Sequence, residues 1–193
     1  MPWEKKYDEA QVLERAMHAF WARGYKATSM SDLVEATGIN RGSIYAAFTD
    51  KRTLFVQALR HYDKLHRAGY LGRIAAKHAP KDAIVEAFVC AGRNTGRDGR
   101  PAGCLLVNTA LEVSPHDAEI RAYVGACVRE VESFFFSMIE AAKKDGTVRK
   151  SVPSRKTAQA LLGLFLGLRV LTRSNPERSA INAITSQARM MLE

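Results

Sequence analysis

Apolar residues recur along this chain at intervals of three and four, the spacing of one helix face, and no stretch alternates as a strand requires. Val12, Leu13, Ala16, Met17, Phe20 and Trp21 mark a first helix over residues 8–23, which Gly24 ends. Leu33, Val34 and Ala36 give a second, short helix its apolar side. Ser29 is placed to cap it, Asp32 three residues on completes a capping box, and Thr37-Gly38 stops it. Asn40 caps a third helix, whose Ile44 and Phe48 are four apart and so share an inward face. Asp50 caps a fourth, running from Lys51 to about residue 72, with Leu54, Phe55, Ala58, Leu59, Tyr62 and Leu65 as its buried stripe.

His78-Ala79-Pro80 breaks the pattern. Helices are then predicted over 81–94, 104–113, 116–144 and 157–172, and a last one carries Ile181, Ile184, Ala188, Met191 and Leu192. A glycine-rich basic loop over 95–103, Asp145-Gly146 and Asn175-Pro176 punctuate them. The result is an all-α chain of about nine helices. A three-helix unit over residues 1–52 precedes a larger helical unit over 53–193, and the fourth helix, about 51–72, connects them.

The chemistry concentrates in residues 29–51, S-M-S-D-L-V-E-A-T-G-I-N-R-G-S-I-Y-A-A-F-T-D-K. A helix, a glycine turn and a second helix with polar residues at its start is the helix-turn-helix plan, which presents the start of the second helix to base edges in the major groove. Gly42 allows close backbone approach, and Arg41 is suited to a bidentate contact with guanine.

The stretch G-I-N-R-G-S-I-Y-A-A-F-T-D-K resembles the DNA-binding signature of TetR/AcrR-type transcriptional regulators. Glycine, polar cap, basic residue, glycine, hydroxyl residue, aliphatic, tyrosine, phenylalanine and lysine stand at that family's spacing. One departure is Ala46 and Ala47, where many members carry bulky or basic residues. The resemblance implies a homodimer that binds a palindromic double-stranded DNA operator, with half-sites at least ~34 Å apart. Asn40, Arg41, Gly42, Ser43 and Tyr45 are then expected at bases or adjacent phosphates, and Thr28, Ser29 and Lys51 at phosphates. The last two helices are expected to form the dimer interface through Leu161, Leu164, Phe165, Leu168, Ile181, Ile184 and Ala188.

An effector site is expected in the second unit. The helix at 104–113 is implied to line it, with Cys104, Val107 and Asn108. The long helix adds Cys127, Val131, Phe134, Phe135 and Met138, an aromatic and Met-rich lining that suits a small hydrophobic or aromatic molecule. A Gly-Cys-Leu opening also resembles members that sense electrophiles or oxidants. A cysteine in a helix's first turn has its thiolate favoured by the dipole, and Arg100 is near in sequence. Thiol control through Cys104 is therefore an alternative. A helical protein-interaction scaffold that binds no specific DNA is a further one.

Composition narrows this. The net charge of +9 favours an anionic partner, yet residues 1–52 hold eight basic side chains against seven acidic ones, so the rest of the chain carries +8 of it. DNA binding is thus argued from the motif's geometry; Lys5 and Lys6 read first as a solvated terminus and second as phosphate contacts. Three cysteines without framework spacing are expected to be reduced thiols in a cytoplasm. The longest apolar run, 160–168, falls short of the ~20 residues a membrane span needs. The histidines at 18, 61, 66, 78 and 116 lack metal-ligand spacing, and no nucleophile motif occurs, so no metal, cofactor or enzymatic activity is expected.

Overall fold

The computed structural model describes residues 7–93, 103–174 and 177–193. Lys5, Lys6, Arg100, most of the glycine-rich loop and Asn175-Pro176 lie outside the described residues. Within them the chain is helical: α1 (Glu9–Arg23), α2 (Met30–Thr37), α3 (Arg41–Phe48), α4 (Lys51–Tyr62), α5 (Gly69–Lys77), α6 (Pro80–Gly92), α7 (Leu105–Glu112), α8 (Ala118–Lys144), α9 (Ser154–Leu171) and α10 (Arg178–Met190). A π-helical segment, Asp63–Ala68, joins α4 to α5 without a break. The connector is therefore one rod from Lys51 to Lys77, longer than the sequence pattern predicts.

Local chemistry explains these boundaries. Asp8, Ser29, Asn40, Asp50 and Asp117 all cap helices by accepting a backbone N–H. The capping box of Ser29 and Asp32 forms, and Gly38 leaves α2 in the left-handed conformation at φ 74°. Gly69 marks the π-segment and not a helix end. Its N–H reaches back to the Lys64 carbonyl, whose oxygen lies 2.7 Å from where a Cβ would stand. The rod stops at His78, which is extended, and Pro80 starts α6 at a position that needs no N–H.

Two apolar cores result. The first gathers α1 to α4 around Phe20, Trp21, Leu33, Ile44 and Phe55. It also takes in Leu105, Leu106 and Val113 around α7 and Ile120 and Val124 of α8. The helix-turn-helix unit is thus packed directly onto the second unit. The second core holds α6, α8, α9 and α10 together, with Phe88, Phe135 and Phe165 in mutual ring contact.

This packing takes Leu161, Phe165, Leu168 and Ala188 of the expected dimer face into the protomer's own core. Leu161, Phe165 and Leu168 lie at i, i+4 and i+7 on the inward side of α9, and Ala188 is fully buried under α10. Leu164, Ile181 and Ile184 are partly buried against the same core. The outward side of α9 carries Gly163, Gly167, Val170 and Leu171; the last two are 44% and 38% exposed.

Candidate nucleic-acid interface and its coupled cavity

α3 is an eight-residue helix with one face sealed and one open. Ile44 and Phe48 are buried, while Arg41, Gly42, Tyr45 and Ala46 face outward. Asn40 is committed to capping: its Oδ1 accepts from the Ser43 N–H at 2.8 Å. Ser43 is half-buried, and its carbonyl accepts from the Tyr7 hydroxyl at 3.4 Å. The Arg41 guanidinium lies over the Tyr45 ring at 5.5 Å and donates to its hydroxyl at 3.3 Å. The two side chains form one exposed unit of cation and phenol on the first turns of α3.

Most other charges nearby are engaged. Arg15 donates to the Thr37 carbonyl, Arg23 pairs with Asp32, and Arg52 with Asp117 and Glu119. Lys51, on the first turn of α4, sets its ammonium 4.5 Å from the centre of the Tyr25 ring. Burial lowers its pKa, with the Glu112 and Asp32 carboxylates acting the other way. Thr28 needs correction as a phosphate contact. It is fully buried, and its hydroxyl donates to the Gly24 carbonyl at 2.6 Å, so its side chain is unavailable. Ser29 beside it is exposed.

A cavity of about 240 Å³ lies where the connector meets α7, α8 and α9. The π-segment and its flanks contribute Tyr62, His66, Arg67, Tyr70 and Leu71. Cys104, Leu106, Val107, Ala110 and Leu111 come from α7 and its cap, and Cys127, Val128 and Val131 from α8. Phe165, Leu166, Arg169 and Val170 of α9 close it. Sequence reasoning placed Cys104, Val107, Cys127 and Val131 together, and the structure brings them to this cavity. Asn108, Phe134, Phe135 and Met138 stand apart from its lining. Phe135 is fully buried between Phe88 and Phe165, and Phe134 and Met138 pack on the second core, because the α8 face they occupy meets α6 and α9.

Titratable groups around the cavity are buried or paired. Burial lowers the pKa of His66, which stacks on Tyr62 at 4.9 Å. Asp63 accepts from Arg67 and from the Tyr123 hydroxyl, the latter at 3.1 Å, and Arg67 also pairs with Glu130. Burial, reinforced by the Asp63 carboxylate, pushes the Cys127 thiol up to about 11. No cysteine is in a disulfide.

The cavity is wired to the helix-turn-helix through α7. Glu112, its last residue, accepts from the Tyr25 N–H at 3.0 Å and the Lys26 N–H at 2.6 Å, both in the turn between α1 and α2. Gly24 makes this possible. It sits at φ 88°, and a Cβ there would lie 2.7 Å from Glu112 Oε2. Arg173, just past α9, donates to the Trp21 and Ala22 carbonyls at the end of α1. Neither residue was singled out from the sequence. A signal for Glu112 exists: it is the lone charge in the apolar run L-L-V-N-T-A-L-E-V.

An all-α chain with an exposed recognition helix on one unit, and a cavity tied to it in the next, defines a two-domain helix-turn-helix regulator. Residues 12–58 match the bacterial regulatory proteins of the tetR family, and residues 82–187 match the tetracyclin repressor-like C-terminal domain. The chain belongs to the TetR family of DNA-binding transcriptional regulators. It is 36% identical over 143 residues to the HTH-type transcriptional regulator YezE of Bacillus subtilis, covering 74% of this chain and 73% of that one. It is 34% identical over 125 residues to the HTH-type transcriptional repressor ComR of Escherichia coli, 60% of this chain and 56% of that one. Among solved structures it is similar to a cysteine mutant of the TetR family regulator CifR complexed with 26 bp double-strand operator DNA. That likeness covers 98% of each chain, at 26% identity and a TM-score of 0.84. Among the described residues no cluster of His, Cys, Asp and Glu could hold a metal ion, and no helix is long and apolar enough to cross a membrane.

Proposed function

We propose that this protein is a repressor that grips a palindromic operator as a homodimer and is released by a small hydrophobic molecule in the cavity. Arg41 and Tyr45 read the major groove, and Gly42 lets the backbone approach. Ser29, Lys51 and the N-terminal turn of α3 hold phosphates. The outward face of α9, Gly163-Gly167-Val170-Leu171, meets its symmetry mate, because two small residues four apart allow close helix approach.

The observation that carries the regulatory part is the Glu112 clasp. One face of α7 borders the cavity, and its end holds the turn that orients α2 and α3. A ligand that shifts α7 therefore shifts the recognition helix. It acts by preferring one of two arrangements, and the coupling equals that difference in affinity. Thiol control has less support: Cys104 and Cys127 are buried, and burial raises the Cys127 and Cys90 thiols away from the reactive thiolate.

The test is a ligand screen read twice, by thermal shift of the free protein and by affinity for its operator. Compounds that raise the melting temperature are expected to weaken DNA binding. Compounds that occupy the cavity while leaving DNA affinity unchanged would overturn the release mechanism.

A further inference from the structure

One end of the cavity is polar, and its chemistry is specific. A second space of about 110 Å³ continues from it, bordered by His66, Tyr70, Arg73, Cys90 and Arg169. Arg169 borders both spaces. It is the lone charged residue in the helix sequence 157–172 and is only 7% exposed. Its Nε is buried with no hydrogen-bond partner, and no carboxylate among the described residues pairs with it. Its guanidinium lies 5.4 Å from the centre of the Phe165 ring.

A guanidinium taken out of water without an anion is strongly disfavoured, so proteins pair such groups or reserve them for a ligand. The neighbours do not supply that anion. Asp63 and Glu130 are taken by Arg67. Glu86 accepts from the Cys90 thiol at 2.9 Å. Nor do other cations compete for the buried position: Arg67 is paired, burial favours the neutral form of His66, and Arg73 is exposed at the outer edge.

We propose that the cavity's ligand is an organic monoanion, a compact aryl or aliphatic body carrying one carboxylate, with the carboxylate held by Arg169. This rests on reading the cavity as the effector site. The planar fork of arginine matches a carboxylate in bidentate fashion, and one buried positive charge balances one negative charge. Leu71, Val107, Val128, Val131 and Leu166 take the apolar body. The cavity volume of about 240 Å³ accommodates a small acid.

The test compares acid, amide and alcohol of matched shape on the full chain by calorimetry: benzoate, benzamide and benzyl alcohol, then octanoate, octanamide and octanol. At least one carboxylate is expected to bind about 10- to 100-fold more tightly than its neutral partners, the range of a charge-assisted hydrogen bond. Arg169→Met is expected to abolish that preference while keeping or raising the melting temperature of the free protein. That outcome separates a ligand-holding role from a structural one. Amides that bind as tightly as acids, no carboxylate binding up to millimolar concentration, or a preference that survives Arg169→Met would overturn the assignment. Carboxylates that bind but leave the DNA complex intact would count against the release mechanism and leave the Arg169 assignment standing. Neutral ligands that bind in place of acids and release DNA would do the reverse.

Discussion

Replacing Glu112 by alanine cuts the contact through which the cavity reaches the DNA-binding unit. Its carboxylate takes two backbone donors, Tyr25 N–H at 3.0 Å and Lys26 N–H at 2.6 Å. A hydrogen bond to a charged group contributes about 1.5–3 kcal/mol, and the lower end applies where water competes. The Tyr25 bond is part-buried and the Lys26 bond exposed, and a solvated donor regains water when its partner leaves. The two together are therefore worth about 2–3 kcal/mol. In a chain of this length each kcal/mol moves the melting temperature by about 2–4 °C, so Glu112→Ala should melt about 4–12 °C below wild type. Glu112→Gln keeps a neutral acceptor and should lose about half as much. Calorimetry measures the stability, and an operator titration with and without a cavity ligand measures the coupling. The variant should still bind ligand, yet the ligand should no longer change DNA affinity, removing a coupling of about 1–3 kcal/mol. A stability change within about 0.5 kcal/mol, the range of an ordinary surface substitution, together with intact coupling, would refute the clasp.

Arg41→Ala should weaken operator binding by about 1–3 kcal/mol while leaving the melting temperature unchanged, since Arg41 is exposed; competitive titration against nonspecific duplex reads both sequence preference and affinity. Two glycines of the connector should respond with opposite signs in thermal melts. Gly69→Ala pushes a Cβ onto the Lys64 carbonyl and should cost about 1–3 kcal/mol, whereas Gly72→Ala meets open space in a helix and should add about 0.5–1 kcal/mol. Arg52 lowers the Asp117 carboxyl from 3.8 to about 2. A depressed folded pKa stabilises above the unfolded value, so this contribution is present above pH about 4 and is lost as pH falls towards about 2; Asp117→Asn should flatten the acid limb of a stability profile there. Gly167→Arg places a charge on the outward face of α9 and should convert a dimer to a folded monomer in sedimentation.

Local signals in this sequence carried the helices and caps, because each cap is settled within four residues. Ser29 with Asp32, Asn40 with Ser43 and Asp50 with Thr53 are contacts of that kind. The same locality misled at Gly72, which reads as a helix end and instead sits in an unbroken rod. Periodicity places an apolar residue on a face but does not say which neighbour that face meets. Phe135 and Leu161 were therefore assigned to a pocket and an interface, and both lie in the protomer's own core. The coupling contacts are long-range pairs: Glu112 to Tyr25 spans 87 positions and Arg173 to Trp21 spans 152. Nothing in a single sequence pairs such residues. Arg169 was legible in kind, the lone charge in the apolar stretch 157–172, but its missing partner appears only when the surrounding helices are in place.

The most direct test of the account is a titration of the full-length protein on the duplex flanking its own coding region, at two salt concentrations and with excess nonspecific DNA. The account predicts tight, competitor-resistant binding that weakens steeply as salt rises, because phosphate contacts release counterions. Failure to bind any duplex, even at low salt, would contradict it.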